Sequence, residues 1–333
     1  MYFNFREKYY NTSRTIRMYR DKTDWIQELE RCGVSSQDGG WRVLSSDRLE
    51  RENGLPMNYV VPRHLGDAEY FKTSNYFRCK RAAIWVWGLE KAALVRMADL
   101  LPDLTTTTYE NTMLEHVRRC DPAMRQPILI DLSKCLPSIQ DINQSYLKLR
   151  ELCAPDSDRQ LMLQDERFYV LLEKSCWLFY VSLSIKQACE AANHMKAGET
   201  VVLQENDGRD VCCIISSLIQ IILDPFFRTI TGIQTLIQKE WVAMGHPFSD
   251  RIGNVHQPTE KSPLFLLFLD CVWQLLCQFP ESFEYSETFL TTIWDSVFLP
   301  IFDTFQFNCE FDRQNAINSV SILNYYNCEF HEF

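Results

Sequence analysis

The stretch that most limits how this chain can fold covers residues 200–222. After Thr200 come three apolar residues, of which Val201 and Val202 are β-branched. A polar loop follows, and then an apolar run that starts at Cys213. An apolar, β-branched segment predicts a strand that is buried on both faces. Gly208 lies where a tight loop needs a positive φ or a close backbone approach. The order strand, tight polar loop, helix is therefore the predicted centre of the fold.

This loop combines a geometry that suits anions with side chains that oppose them. A helix that starts directly after a loop points free backbone N–H groups at the loop, which favours anion binding. Yet the loop contains Glu205, Asp207 and Asp210 against Arg209. At about 4 Å and an effective dielectric constant of about 20, each extra pair of like charges costs roughly 4 kcal/mol. A phosphate is therefore disfavoured here, and Glu205 either fills the anion position itself or is solvated beside a collapsed loop.

The composition excludes several classes of protein. The chain of 333 residues is 46% apolar and carries a net charge of −10, so it lacks the basic character of a general nucleic-acid binder. Its 13 cysteines include no Cys-x-x-Cys pair, and no metal site or cofactor is predicted. The first residues show no signal-peptide pattern, which together with the unpaired cysteines predicts a reducing, cytoplasmic environment.

Strand patterns alternate with helical patterns in the first half, and helices dominate the second half. Strands are predicted at residues 59–61, 82–87, 92–97, 127–132 and 201–203, and helices at 21–33, 142–153, 168–196, 211–222, 230–242, 263–280 and 286–298. Three stretches, 63–80, 154–166 and 245–262, are expected to be exposed loops or linkers. The alternation indicates an α/β domain with a largely parallel or mixed sheet and no second domain.

The second half resembles the phosphatase domain of the myotubularin family, which are cysteine-dependent phosphoinositide 3-phosphatases. The resemblance is carried by residues 224–232 (Asp-Pro-Phe-Phe-Arg-Thr-Ile-Thr-Gly), 236–250 and 262–289, and more loosely by 25–41 and 84–87. It implies a cysteine-phosphatase-like central sheet flanked by helices, with a helix-rich C-terminal half. The phosphatase-like domain would span residues 1–313, with its N-terminal part truncated, and residues 314–333 would form a divergent polar tail.

Active members of this family carry His-Cys-Ser-Asp-Gly-Trp-Asp-Arg-Thr after the central strand. The resemblance places Glu205 at the nucleophilic cysteine and Val211 at the phosphate-binding arginine. It therefore implies a degenerate phosphate loop with no catalytic residue, made of Gln204, Glu205, Asn206, Asp207, Gly208, Arg209, Asp210, Val211 and Cys212. Asp210 matches the family pattern and keeps the position of a general acid, but an acid without a nucleophile does little.

This departure resembles the inactive myotubularins that associate with active members, the subgroup that includes the 3-phosphatase adapter. The resemblance implies an adapter or regulatory subunit in a hetero-oligomer with an active myotubularin lipid 3-phosphatase, in the cytoplasm or peripheral on endomembranes. A second hypothesis is a module that senses phosphoinositide through weak membrane contact without cleaving it. Family members also carry an N-terminal PH-like domain and often a C-terminal coiled coil, which we expect this chain to lack.

Three other patterns have simpler interpretations. A Cys-x5-Arg sequence from Cys153 to Arg159 follows a helix and has no glycine, so it is interpreted as a chance match. Cys212 and Cys213 are expected to be buried small hydrophobes rather than nucleophiles. The six histidines are dispersed along the chain, and most are expected on the surface.

Overall fold

The computed structural model describes residues 16–35, 39–103, 107–154, 157–253, 261–299 and 303–322. The strands are β1 (Trp41–Ser45), β2 (Asn58–Pro62), β3 (Ile84–Leu89), β4 (Ala92–Ala98), β5 (Ile128–Asp131) and β6 (Val201–Glu205). The helices are α1 (Lys22–Arg31), α2 (Asp67–Ser74), α3 (Thr108–Arg118), α4 (Leu132–Cys135), α5 (Ile139–Cys153), α6 (Asp158–Asp165), α7 (Phe168–Ser175), α8 (Trp177–Lys196), α9 (Val211–Leu223), α10 (Ile230–Ile237), α11 (Phe248–Ile252), α12 (Leu264–Gln278), α13 (Glu287–Ser296) and α14 (Glu310–Ile322). Short 3₁₀ turns lie at Arg78–Lys80, Pro225–Arg228, Pro280–Ser282 and Asp303–Phe305, and Gln238–Ala243 is π-helical.

The six strands form one mixed sheet in the order β1-β2-β3-β4-β6-β5. Neighbours from β1 to β4 are antiparallel, whereas β6 runs parallel to both β4 and β5. The predicted hairpin of β3 and β4 and the predicted βα unit of β5 and α5 are therefore confirmed. The α/β class is also confirmed, and it places the carboxyl end of β6 between two parallel neighbours, where ligand sites of such sheets form.

The centre of the core is the strand and helix that the sequence singled out. Val201, Val202 and Leu203 are completely buried in β6. Helix α9 is buried from its first residue to Ile221 and packs on α8 and β6. By contrast, the apolar strand at residues 127–132, which was expected to be buried, forms the edge strand β5, and its residues are only partly buried.

Several predicted loops are in fact structured. Residues 63–80 contain α2, which buries Tyr70, and the following residues bury Phe77. The predicted linker at 154–166 contains α6, and α3 was not predicted at all. In the predicted surface loop at 245–262, α11 buries Phe248, and residues 254–260 lie outside the described ranges.

The predicted helices differ in their breaks and caps. The stretch 168–196 is two helices, separated by Cys176 with a left-handed φ of 63°. Asp21 is the N-cap of α1 but makes no side-chain capping bond. Helix α12 also has no side-chain capping bond, and the hydroxyl of the preceding Ser262 donates to the Ile139 carbonyl at 2.8 Å. At the other end of the chain, α14 crosses the predicted boundary at residues 313 and 314.

A buried ionic network fixes the π-helical segment against the sheet. Lys239 is completely buried, and its Nζ donates to Glu28 Oε1 at 3.0 Å and to Gln220 Oε1 at 2.6 Å. Next to it, Arg96 of β4 donates to Glu240 Oε2 at 2.9 Å, and both side chains are buried. Pairs of this kind hold a fixed geometry because leaving either charge alone would be costly. The network therefore positions the Arg96 guanidinium beneath the loop after β6.

Among the described residues, no single helix is long and apolar enough to cross a membrane. The bent pair α7 and α8 meets the length and composition criteria only when the two helices are taken together.

Candidate functional site

The loop between β6 and α9 turns sharply at Gly208. Its φ is 66°, and a Cβ atom built on it would lie 3.4 Å from the Ala98 backbone nitrogen. The loop is also held to the end of β4, because the Asp99 N–H donates to the Asn206 carbonyl at 2.9 Å. Of the two alternatives predicted for Gly208, the positive φ is confirmed, and its backbone is in van der Waals contact with the end of β4.

The Glu205 carboxylate occupies the amino terminus of α9. Its Oε1 accepts the Val211 N–H at 2.9 Å, and its Oε2 accepts the N–H groups of Cys212 at 2.8 Å and Asp210 at 3.2 Å. These are helix N–H groups that have no partner within the helix. The interpretation that Glu205 fills the anion position is confirmed, and the alternative of a solvated side chain is wrong, since Glu205 is buried.

Two opposing influences act on the Glu205 carboxyl. Burial raises its pKa to about 7, and the neighbouring Asp210 charge acts in the same direction. The backbone N–H groups of Cys212 and Val211 stabilise the ionised form and limit this rise. The carboxyl is thus poised to change its protonation state near neutral pH.

Asp210 is tied to an arginine that follows it by 41 residues. Its two oxygens accept from Nε and Nη2 of Arg251 at 2.9 and 2.8 Å, a bidentate geometry. Burial raises the pKa of Asp210, but the hydrogen bonds and charge of Arg251 outweigh it, so the pKa lies below its ordinary value. A carboxylate held ionised in this way does not act as the general acid that the sequence pattern left open.

The remaining loop side chains bring no nucleophile into the site. Gln204 donates to Glu110 Oε1 of α3 at 2.7 Å, and Val211 is apolar and buried. Cys212 and Cys213 are buried as predicted, and burial raises the pKa of both thiols, that of Cys213 to about 12. Neither is therefore a thiolate at neutral pH.

The loop after β6 is surrounded by more positive charge than the sequence indicates, because arginines from distant segments contact it. Arg81 and Arg96 both donate to the Gly208 carbonyl, at 3.2 and 2.9 Å. Arg78 Nη1 lies 3.9 Å from Asp207 Oδ1. The loop is thus not an uncompensated cluster of carboxylates. What opposes a phosphate is the presence of Glu205 on the N–H groups rather than an excess of negative charge.

His246 is an exception to the expectation that most histidines are on the surface. It is buried, and its Nδ1 contacts the Arg209 carbonyl at 2.9 Å and lies 3.6 Å from Asp210 Oδ1. Burial lowers the pKa of His246 to about 4, although the Asp210 charge acts in the opposite direction. Its location next to the loop was not predicted, even though His246 lies in a segment that carries the family resemblance.

Other candidate groups lie away from this site. Cys153 is the exposed last residue of α5 and Arg159 lies in α6, with residues 155–156 between them outside the described ranges. Within the described ranges, no three His, Cys, Asp or Glu side chains are close enough together to hold a metal ion.

The mixed sheet, the central strand and the loop at the amino terminus of α9 define the class: an α/β domain of the cysteine-phosphatase kind. Residues 126–314 match the family model described as the myotubularin-like phosphatase domain. This match covers more than half of the chain, and the chain belongs to the myotubularin-related family.

Curated relatives match over nearly the whole chain. Myotubularin-related protein 10-B of Xenopus laevis is 38% identical over 308 residues, which cover 92% of this chain and 39% of that protein. Myotubularin-related protein 10 of Homo sapiens is 37% identical over 314 residues, or 93% and 40% of the two chains. Myotubularin-related protein 12 of Danio rerio is 36% identical over 312 residues, or 91% and 41%. The chain therefore spans about two fifths of the length of these relatives.

Proposed function

We propose that this domain is a catalytically inactive adapter or regulatory subunit for an active myotubularin-family lipid 3-phosphatase. The observation that carries the proposal is the Glu205 carboxylate on the N–H groups of Asp210, Val211 and Cys212. In a cysteine-dependent phosphatase these donors hold the transferring phosphoryl group. In this chain the Glu205 carboxylate accepts hydrogen bonds from these N–H groups and occupies the place of the phosphoryl group.

The chemistry of the surrounding residues supports this proposal. A cysteine phosphatase needs a thiolate below the phosphate and a guanidinium fork on its oxygens. Glu205 stands in place of the thiolate and Val211 in place of the fork, while the Arg251 guanidinium is taken up by Asp210. A phosphoryl transfer to Glu205 itself would have to break the three backbone hydrogen bonds that hold its carboxylate. The geometry thus favours a binding role over turnover.

The alternative, lipid sensing through this same loop, is less well supported. A phosphoinositide headgroup would have to displace the buried Glu205 carboxylate before it reached the N–H groups of α9. Binding of a partner protein, by contrast, needs only a folded domain with a specific outer surface, and Glu205 on the helix N–H groups does not interfere with it. For this reason the adapter is the preferred function.

We expect no release of phosphate from phosphatidylinositol 3-phosphate by the purified chain. Phosphate release is measured for the wild type, for Glu205→Ala and for a heat-inactivated sample, and all three should agree. Release by the wild type that disappears in Glu205→Ala would show that Glu205 is a working nucleophile and would refute the proposal of inactivity.

The adapter function is tested by immobilising the chain, passing cytosol over it, and identifying the captured proteins by mass spectrometry. We expect enrichment of a myotubularin-family phosphatase that retains the catalytic cysteine, compared with a control bait, the Val202→Asp chain, that differs by one residue and has a disrupted fold. Purified partner and wild-type chain should then co-elute in size-exclusion chromatography. If no such phosphatase is captured while the chain sediments with phosphatidylinositol 3-phosphate vesicles, lipid sensing replaces the adapter as the function.

A further inference from the structure

We propose that the exposed apolar face of α7 and of the first turn of α8 is the contact surface of a symmetric dimer, in which it packs against the same face of a second copy of this chain. The proposal does not rest on the adapter function, since it concerns two identical chains and not a phosphatase partner. It arises from large apolar side chains that these two helices leave in contact with solvent.

The apolar residues of α7 and of the first turn of α8 are far more exposed than is usual for their types. Five of them form what we call the α7–α8 face: Phe168, Tyr169, Val170, Leu178 and Phe179. Tyr169 is 83% exposed and Phe179 is 60% exposed. Within α7 only Ser175 is buried, although the helix packs on α5 and α8. A group of exposed, large apolar side chains marks a binding surface.

The α7–α8 face has the size that a dimer contact needs. Only Cys176 separates the two helices, which contact each other and meet at an angle of 48°. The five side chains together expose on the order of 500 Å². A standard protein–protein interface buries about 800 Å² on each partner. With a polar border, the face is therefore large enough for a dimer of moderate affinity.

Two charged side chains at the border of the face favour a second copy as its occupant. Glu173 follows Tyr169 by four positions and Lys174 follows Val170 by four, so each lies on the same side of α7 as an exposed apolar residue. Both are exposed, and within the described ranges neither makes an ion pair. A two-fold axis that crosses α7 beside them would bring Glu173 of each copy opposite Lys174 of the other. The face is thus complementary to itself in charge as well as in apolar character.

A lipid surface fits the same face less well. Helices that lie in a membrane interface are rich in Lys and Arg on their polar side, and these residues attract anionic headgroups. On α7 the charge of Glu173 offsets that of Lys174, and the whole chain has a net charge of −10. A centre rich in aromatic side chains with a polar rim of both signs is instead typical of a contact between proteins.

The test measures the mass of the purified chain by sedimentation equilibrium over a range of concentrations. We expect a reversible dimer of twice the monomer mass of 39.2 kDa, with a dissociation constant in the micromolar range. Tyr169→Ser should raise this constant by roughly tenfold to a hundredfold, because it removes the most exposed ring of the face. The matched control is Phe279→Ser, which removes a ring that is 58% exposed after α12 and should dimerise like the wild type.

An exchange of charges tests the symmetry of the dimer. Glu173→Lys alone and Lys174→Glu alone should each raise the dissociation constant by about threefold to tenfold, because like charges then face each other. An equimolar mixture of the two variants should associate like the wild type, because one copy then offers two lysines and the other offers two glutamates. Far-ultraviolet circular dichroism of each variant shows whether a lost dimer reflects a lost fold.

The possible results separate the proposal from its rivals. A wild type that stays monomeric at about 100 µM overturns it, and sedimentation of that monomer with phosphatidylcholine vesicles would assign the face to lipid. A dimer that Tyr169→Ser leaves unchanged also overturns it. A mixture of the two charge variants that associates no better than either alone contradicts packing about the two-fold axis. If Tyr169→Ser does not fold, Phe179→Ser and the charge exchange still decide the question.

Discussion

Replacing Val202 with aspartate is expected to prevent the domain from folding. Val202 is completely buried at the middle of β6, where it pairs in register with Val95 of β4 and Leu129 of β5. An unpaired carboxylate at such a position costs several kcal/mol, whether it stays ionised or takes up a proton. The whole stability of a typical domain is only about 5–15 kcal/mol.

The matched control is Val170→Asp, which makes the same chemical change at a position of α7 that is 46% exposed. Far-ultraviolet circular dichroism and urea unfolding should show a native Val170→Asp protein and an unfolded or insoluble Val202→Asp protein. A soluble Val202→Asp chain with the wild-type urea midpoint would mean that β6 is not the central strand.

The features that the sequence predicted correctly depend on neighbours along the chain. The strand, the glycine turn and α9 follow from a β-branched apolar run, a single glycine and a second apolar run within residues 200–222. The end of α1 follows from Gly33, which has a left-handed φ of 73°. The carboxylate on the helix N–H groups also follows locally, because Asp210 follows Glu205 by only five positions.

The features that were missed depend on contacts between distant segments. Arg251, Arg96 and Arg81 reach the loop across 41, 112 and 127 residues. The spacing of residues along the chain does not indicate such contacts. The charge balance predicted for the loop therefore included Arg209 but none of these three arginines. Helix α2 was missed for a related reason: it buries few residues, among them Tyr70, so its apolar periodicity is weak and tertiary packing decides its structure.

The same distinction explains why the sequence predicts residues 245–253 to be exposed. The segment is short, polar and interrupted by Pro247, all of which are typical of a surface loop. In the structure, Phe248 packs on Trp241 and Phe265, and this packing buries His246 and Arg251 against the loop after β6. Aromatic packing from α12 and the π-helical segment therefore turns a polar stretch into part of the candidate site.

Two groups at the loop should make the stability of this domain depend on pH in opposite directions. The pKa of Glu205 is about 7 in the folded chain, above its ordinary value of 4.5. Between these values the folded state holds more protons than the unfolded state, so rising pH destabilises the fold. The pKa of His246 is about 4, below its ordinary value of 6.5, so rising pH stabilises the fold between pH 4 and 6.5. Each shift corresponds to about 3 kcal/mol across its window.

In the wild type, the opposite effects of Glu205 and His246 on the free energy of unfolding nearly cancel between about pH 4.5 and 6.5. Glu205→Gln removes the destabilising contribution, so its free energy of unfolding should rise with pH relative to the wild type. His246→Asn removes the stabilising one while keeping an N–H donor for the Arg209 carbonyl, so its free energy of unfolding should fall with pH relative to the wild type. Shifted groups that interact with neither side chain, such as Asp99 with a pKa of about 6, drop out of the differences. Asp210 interacts with both Glu205 and His246, so its own titration contributes to the differences at acidic pH.

Urea unfolding of the three proteins at a series of pH values measures these differences directly. Glu205→Gln should also be less stable by roughly 1–3 kcal/mol where Glu205 is protonated in the wild type. One of the two oxygens that accept the N–H groups of Asp210, Val211 and Cys212 becomes an NH2 group, which cannot accept a hydrogen bond. Parallel curves for all three proteins would show that neither side chain changes its protonation on unfolding, and would contradict the burial of both groups at the loop. Diverging curves would show that the carboxyl on the helix N–H groups is a titrating part of the fold. The Glu205 carboxylate would then take up a proton and lose its negative charge as the pH falls below about 7.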